Sequence, residues 1–427
     1  MSDGFSIGIG TRMAARQVEA IAASVGDPRR NLATFSTAAI PLEGIGIHGR
    51  MLAYNAVNRE EYPCVGLFES GCLGFLARRW NLQPVSNCAV SGMSTFGSSE
   101  AAQLAATALW WTKCPTGSTR TARPNLVMAA NAHVCWRQLC RFIGIEPRVV
   151  AVHPRTQTAC PTTLSSACDA NTIGVVATLG ATYTGLTDPI EDIQVGLDDL
   201  YARSGVDIDI HVDAASGGFS VPFLRPDREW DFRLPRVRSI NTSGHKYGMV
   251  PPTLGWIMWR DRSALPDEMF CDSDYLSGST RTLGLGYSRP AAHVAHQYFN
   301  ILGYGVDGYT RILRRCAQTA TALAAILDTD PELVRVSDPG QLPIVVAAGP
   351  RERVETVAAA LHTRGWRVPT YDMPWSGQRA LRIVCRPDMG TELADQLTGD
   401  LQVALRTTHR SNRIGAEPVA VASGGML

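Results

Sequence analysis

Apolar residues fall along this chain in two textures. Residues 125–128, 172–177 and 254–259 are short, nearly continuous apolar runs, the pattern of strands covered on both faces, and 237–241 is a further short strand candidate. Residues 206–212 alternate apolar and polar positions and end at Asp213. Helical spacing lies between several of these runs. One such stretch opens after Gly97 with Ser98-Ser99-Glu100, whose hydroxyls can cap free helix amides, and continues to Trp111. Alternating strand and helix predict an α/β fold on a mostly parallel central sheet. In such sheets ligands gather beyond the carboxyl ends of the strands, and Asp213, Ser243 and Lys246 all stand just past predicted strand ends.

The pattern also divides the chain. Met13, Val18 and Ile21 share one stripe of a helical lead-in over residues 1–30, which Gly26-Asp27-Pro28 ends. Residues 31–308 carry the strand series and form the large domain. From residue 309 the texture changes to an Ala-rich helix (319–327), a strand (342–347), a helix (354–364) and a strand (380–385). That order predicts a smaller α+β domain over 309–410. Residues 411–427 lack periodicity and are expected to form a mobile tail. A chain of 427 residues exceeds one core, which agrees with two packed domains.

Composition narrows the function. The formal net charge of +1 provides no field that would gather nucleic acid or an anionic membrane. No run is apolar and long enough to span a bilayer, and Met1-Ser2-Asp3-Gly4 lacks the start of a signal peptide, so a cytoplasmic protein is expected. Eleven scattered cysteines, without Cys-x-x-Cys or cysteine/histidine spacing, read as reduced thiols rather than disulfides or a metal site. Of 40 Lys+Arg residues only Lys113 and Lys246 are lysines, so amine chemistry has two candidates.

Three strings carry chemistry. In Thr242-Ser243-Gly244-His245-Lys246, a lysine that burial has deprotonated can form an imine with an aldehyde, and Ser243 and His245 could hold a phosphate. A surface turn is the competing reading. In His211-Val212-Asp213-Ala214-Ala215-Ser216-Gly217-Gly218, an acid leaves a strand and meets small residues. A flat ring can lie against such a backbone while the carboxylate pairs with a ring nitrogen and keeps it protonated. An ordinary tight turn competes. Gly97-Ser98-Ser99-Glu100 offers amides and hydroxyls to an anion, or simply caps a helix. A phosphate site, an acid for a ring nitrogen and an imine lysine are together the parts of a pyridoxal-phosphate enzyme.

These strings, with Asn31-Leu-Ala-Thr-Phe35, Glu60-Glu-Tyr-Pro63, Asn171-Thr-Ile-Gly-Val-Val176, Thr182-Tyr-Thr-Gly185, Trp230-Asp-Phe-Arg-Leu-Pro-Arg236 and Ser288-Arg-Pro290, give a family resemblance over residues 31–406. The chain resembles the glutamate decarboxylases of bacteria and plants, within the group II pyridoxal-phosphate decarboxylases. The resemblance implies a fold-type I large domain, as in the aminotransferases, with a smaller C-terminal domain.

Residue by residue, it implies that Lys246 carries pyridoxal 5'-phosphate covalently. Lys113, at the end of a helix, is expected at the surface. Asp213 would pair with the pyridine nitrogen, Ala215 would pack beneath the ring, and His133 would stack above it, where this branch usually has glutamine. Ser98, Ser99, Ser243 and His245 would bind the phosphate, and Ser288 would reach a neighbouring subunit's phosphate. Thr182 would lie beside the cofactor near the substrate carboxylate, which Arg382 would grip. Thr34, Phe35 and Asn55 would line the side-chain end of the substrate pocket. Asn58 falls where the family has an aspartate. Tyr275 would cover the site or return a proton, from a hairpin whose next residues, 277–286, depart from the family's string. The C-terminal end lacks both the family's closing histidine-threonine pair and a basic, Trp-containing calmodulin target.

The resemblance further implies a homodimer with active sites completed across the interface. The implied reaction is α-decarboxylation of glutamate, or a glutamate-like acid, to γ-aminobutyrate or its counterpart and CO2. Asn58, His133 and the altered hairpin keep open another reaction on the same fold: oxidative deamination, substitution or carbon–carbon chemistry. A non-catalytic binding module would have no use for the electron sink that Lys246 and Asp213 imply.

Overall fold

The structure is a computed structural model, and it describes residues 10–24, 26–37, 40–83, 91–114, 123–273, 280–284 and 286–414. Helix α1 (Thr11–Ala23) comes first and buries none of its residues. Its expected apolar stripe is exposed, with Val18 at 66% and Ile21 at 65% of full accessibility. Residues 28–37 form a strap that opens with a 3-10 turn (Pro28–Arg30), and helices α2 (Leu42–Arg50) and α3 (Pro63–Arg79) follow in the chain.

The central sheet contains β1 (Gly92–Thr95), β2 (Asn125–Ala129), β3 (Glu146–Val150), β4 (Thr172–Thr178), β5 (Ile210–Asp213), β6 (Val237–Ser243) and β7 (Gly255–Trp259). Their spatial order is β1-β7-β6-β5-β4-β2-β3. Pairings from β3 through β6 are parallel, and only β7 runs against the rest. Helices α4 (Ser98–Lys113), α5 (Val134–Ile143), α6 (Pro161–Ser166), α7 (Ile190–Ser204) and the short α8 (Val221–Leu224) occur between these strands.

Both sheet faces are buried, which explains the unbroken apolar runs. Leu126, Met128, Ile173 and Val176 pack with Ala101, Ala105 and Leu109 of α4 on one face. Val127, Ala129, Val175 and Ala177 pack on the other, with Leu76 of α3 and Ile193 of α7. The alternation over 206–212 yields strand only from Ile210. Ile208 turns inward while Asp207 and Asp209 turn out to Arg236 and Arg238, so the upstream half of that pattern is a loop with one buried residue.

A hairpin of β8 (Cys271–Ser273) and β9 (Thr280–Thr282) leads to α9 (Ala292–Leu327). The expected domain junction after residue 308 falls inside α9, whose geometry breaks at Gly305 (φ 54°). Beyond α9, β10 (Val334–Arg335), β11 (Ile344–Gly349), β12 (Thr370–Asp372) and β13 (Arg379–Val384) form an antiparallel sheet in the order β10-β11-β13-β12. Helices α10 (Arg351–His362) and α11 (Gly390–Ile414) cover it through Val354, Leu361, Leu397 and Leu401. Residues 411–414, expected in a tail, continue α11, and 415–427 lie outside the described residues. Among the described residues no helix is long and apolar enough to cross a membrane.

Candidate active site

A cavity of about 250 Å³ opens where the chain leaves β4, β5 and β6 and enters α4 and α5. Its lining includes Ser98, Ser99, His133, Thr182, Asp213, Ala215, Ser243, His245 and Lys246. Nine residues singled out from sequence thus meet in one space, as expected for the carboxyl edge of a parallel sheet.

Lys246 Nζ donates to Ser216 Oγ at 3.1 Å and lies 4.9 Å from the centre of the Phe35 ring. Burial draws its pKa from 10.5 down to about 8, against the opposing pull of Asp213. Lys113 is exposed, and its Nζ donates to the carbonyl of Asp207.

Asp213 ends β5 almost fully buried, and three donors hold its carboxylate. Trp136 Nε1 donates to Oδ2 at 2.7 Å; Ala215 N and Asn241 Nδ2 donate to Oδ1 at 3.1 and 3.3 Å. The Asn241 amide is oriented in turn by His211, whose Nε2 lies 2.7 Å from Asn241 Oδ1 and whose Nδ1 lies 2.8 Å from Ser239 Oγ. Burial lowers the pKa of His211 to about 4, so its ring stays neutral and orients the amide without adding charge.

The phosphate candidates lie at the start of α4. Ser98 Oγ is 2.7 Å from Ser243 Oγ, which joins that helix terminus to the end of β6. Gly97 enters the helix at φ 130°, where an L side chain would be strained. A Cβ on Gly255 behind it would lie 2.4 Å from the Gly97 carbonyl carbon, so only glycine lets β7 support the turn. The His245 Nδ1 is engaged with Leu254 O at 2.8 Å, and burial lowers the ring's pKa.

His133 has a second task. Its Nδ1 accepts from Cys135 N at 3.2 Å and caps α5, which assigns the proton of the neutral ring to Nε2. Burial lowers its pKa as well, so the ring is neutral near pH 7.

Arg382, on β13, donates through Nη1 to the carbonyl of Thr182 and through Nη2 to Ala33 O at 2.7 Å. Its Nε is buried and has no partner among the described residues. Phe35 lies beneath the guanidinium at 5.1 Å, and Thr34 precedes it on the strap.

Thr34, Phe35 and Arg382 stand beside the cavity rather than in its lining, and Asn55, Asn58 and Ser288 do not line it either within one chain. The Asn55 side chain donates to Tyr287 O, and its backbone pairs with Pro290. Asn58 is buried and accepts from Glu61 N. Ser288 is exposed next to that pairing. Tyr275 lies outside the described residues. Sequence reasoning missed Trp136, Asn241, Ser216, Thr178 and Cys135. Ser216 stood in the Asp213 string, Cys135 and Trp136 just after His133, and Asn241 at the end of a predicted strand, yet none of them was given a role.

A desolvated amine, a clamped carboxylate and a hydroxyl-lined helix start, set at one sheet edge, define the class of fold-type I pyridoxal-phosphate enzymes, and the residues present fit that cofactor. Residues 36–346 match the family model described as the pyridoxal-dependent decarboxylase conserved domain. The chain belongs to this family, and it is a pyridoxal-phosphate-dependent amino-acid decarboxylase of the glutamate decarboxylase-like type. It is 36% identical over 388 residues to a glutamate decarboxylase of Aliivibrio fischeri, covering 88% of this chain and 83% of that protein. It is 35% identical over 413 residues to glutamate decarboxylase beta of Listeria monocytogenes, covering 94% and 89%. The solved Lactobacillus brevis glutamate decarboxylase superposes with a TM-score of 0.88 at 32% identity, over 94% of this chain and 93% of that one.

Proposed function

We propose that the enzyme removes the α-carboxylate of glutamate, or of a glutamate-like acid, to give γ-aminobutyrate or its counterpart and CO2. The names of the relatives support glutamate as the substrate. The observation that carries the reading is one cavity holding both the desolvated Lys246 amine and the clamped Asp213 carboxylate, with Arg382 anchored to the lining residue Thr182.

When bound, pyridoxal phosphate supplies an aldehyde for amines and a ring that accepts the electron pair left by the departing carboxylate. In this reading Lys246 is the amine that holds it, and Asp213 keeps the ring nitrogen protonated. Trp136, Ala215 and Asn241 fix the direction of that carboxylate. Ser98, Ser99, Ser243 and His245 bind the phosphate. Ala215, His133 and Thr182 line the same cavity and would hold the ring.

Arg382 grips the α-carboxylate. Both its terminal nitrogens are tied to backbone carbonyls, which sets the plane of the fork, and the free Nε adds a buried donor that a carboxylate would satisfy. Thr34 and Phe35 bound the side-chain end. The neutral His133, carrying its proton on Nε2, or Tyr275 returns a proton to the α-carbon. Asn55, Asn58 and Ser288 serve the site of a second subunit, which makes the working unit a homodimer. The described cysteines are free thiols, in keeping with a cytosolic setting.

Purified enzyme given glutamate should release CO2 and γ-aminobutyrate in equal amounts. Lys246→Ala should lose both turnover and the visible absorbance of the covalently held cofactor. Glutamate consumption with ammonia but no CO2, or covalent cofactor retained in Lys246→Ala, would overturn the reading.

A further inference from the structure

Arg386 lies just past β13, and its side chain is fully buried. Its Nε donates to Asp388 Oδ1 at 3.0 Å. Nη2 also reaches Asp388 Oδ2 at 3.5 Å, and the other contacts of the terminal nitrogens are main-chain carbonyls of the strap. Nη1 donates to Asn31 O and reaches Thr34 O at 3.3 Å, while Nη2 donates to Arg29 O at 3.1 Å and Pro28 O at 3.3 Å. A guanidinium without water needs every donor met, so this stretch cannot lift away without leaving buried N–H donors unmet, although the Asp388 ion pair would remain.

The same strap reaches the active site a few residues on. Ala33 O accepts from Arg382, and the Phe35 ring lies beneath both Arg382 and Lys246. Thr37 N then donates to His245 O at 3.2 Å, and Thr37 Oγ1 donates to Lys246 O at 3.2 Å. Residues 28–37 are therefore held by Arg386 at the small sheet and by the lysine loop at the other end. Between the two anchors lie Thr34 and Phe35, which the proposed function sets at the side-chain end of the substrate.

We propose that Arg386 is a positioning residue: by clasping the strap it fixes Ala33 O, which orients Arg382, and lays Phe35 across the substrate end of the cavity. This rests on the reading of Arg382 and Phe35 given under Proposed function. Arg386 is not part of the cavity lining and acts only through the strap.

The test uses holoenzyme of Arg386→Lys, Thr37→Val and the double variant. Lysine keeps the charge but cannot fork to four carbonyls. In both single variants, amide hydrogen exchange over residues 31–37 should quicken by about tenfold or more while β11 stays protected. KM for glutamate should rise about tenfold with kcat within about threefold of wild type, since the strap contributes binding rather than bond breaking. The absorbance of the bound cofactor should not move. The double variant should cost less than the product of the two single effects, because both loosen one strap.

Wild-type exchange over 31–37 in Arg386→Lys, or faster exchange with wild-type KM, overturns the proposal, as does loss of cofactor absorbance in step with KM. Should Arg386→Lys fail to fold, Thr37→Val carries the same expectation, and a wild-type KM there overturns it. If wild-type enzyme does not turn over glutamate, the substrate assignment falls, and exchange over 31–37 alone then upholds or overturns the clasp.

Discussion

Stripping the cofactor and adding pyridoxal phosphate back across a pH series probes Lys246 without any substrate. Only the neutral amine attacks an aldehyde. Burial, aided by Arg382 and opposed by Asp213 and Cys135, draws the lysine down to about 8. At pH 7 an amine of ordinary lysine pKa is neutral in about 0.03% of molecules, and one titrating near 8 in about 9%, a gain of about 300-fold. The rate of covalent capture should therefore climb about tenfold from pH 6 to 7 and level off above 8. Stopped-flow absorbance gives the rate, and borohydride reduction followed by peptide mass gives the site. The exposed Lys113 is the one alternative side-chain amine, and in Lys246→Ala covalent capture in the cavity should be lost. A wild-type profile that climbs unbroken to pH 10, or a label on Lys113, would refute the reasoning.

Three further outcomes follow from the geometry. Trp136→Phe deletes the 2.7 Å hydrogen bond to Asp213 Oδ2, and such a bond to a charged acceptor contributes about 1.5–3 kcal/mol. The urea midpoint should fall accordingly and the cofactor should be retained less well; a wild-type midpoint would count against the clamp. Arg382→Lys keeps the charge without the fork, so KM for glutamate should rise about 10–100-fold, and an unchanged KM would remove Arg382 from carboxylate binding. His296, at the contact of α2 and α9, is fully buried against His48, and burial, aided by His48 and His293, lowers its pKa to about 4. The unfolded chain takes up that proton near pH 6.5 and the folded chain does not, so stability should fall as pH drops from about 6.5 towards 4. His296→Leu should flatten the fall of Tm over that window, and an unaltered slope would reject the assignment.

The elements most legible in the sequence are those buried on both faces. β2, β4 and β7 appear within a residue or two of the apolar runs because nearly all their positions are buried, while β6 is buried largely through polar side chains that pair with His211, Asp213 and Ser98. β3 was not legible. It is the edge strand, and its Glu146-Pro147-Arg148 are more exposed than a central strand allows. β1 was hidden for the opposite reason. Its buried Ser94 is satisfied by Glu69 of α3, so a polar strand lies in the core beside a partner that is remote in sequence. The stripe of α1 was legible as a helix, yet nothing in the described chain covers it, since periodicity specifies an amphipathic face and not its partner.

The active site divides along the same line. Residues at strand ends and at the start of α4 were legible because local chemistry marked them, and the sheet edge brings them together. Asn55, Asn58 and Ser288 came only by resemblance, and one chain leaves them away from the cavity. The second layer left no local mark at all. Asp213 and Asp188 are both buried carboxylates near the carboxyl edge of the sheet. Asp188 takes Asn131 Nδ2 and Ala159 N on one oxygen and Thr178 N on the other, and burial raises its pKa. It braces the loop that leads to His133 against the end of β4, and it does not line the cavity. Asp213 is held by as many donors from β6, α5 and its own turn, but it lines the cavity, where a ring nitrogen could meet it. The donor sets are alike in kind. Position relative to the cavity separates a brace from an acid that can serve the cofactor, and that position is a property of the assembled sheet rather than of either local string.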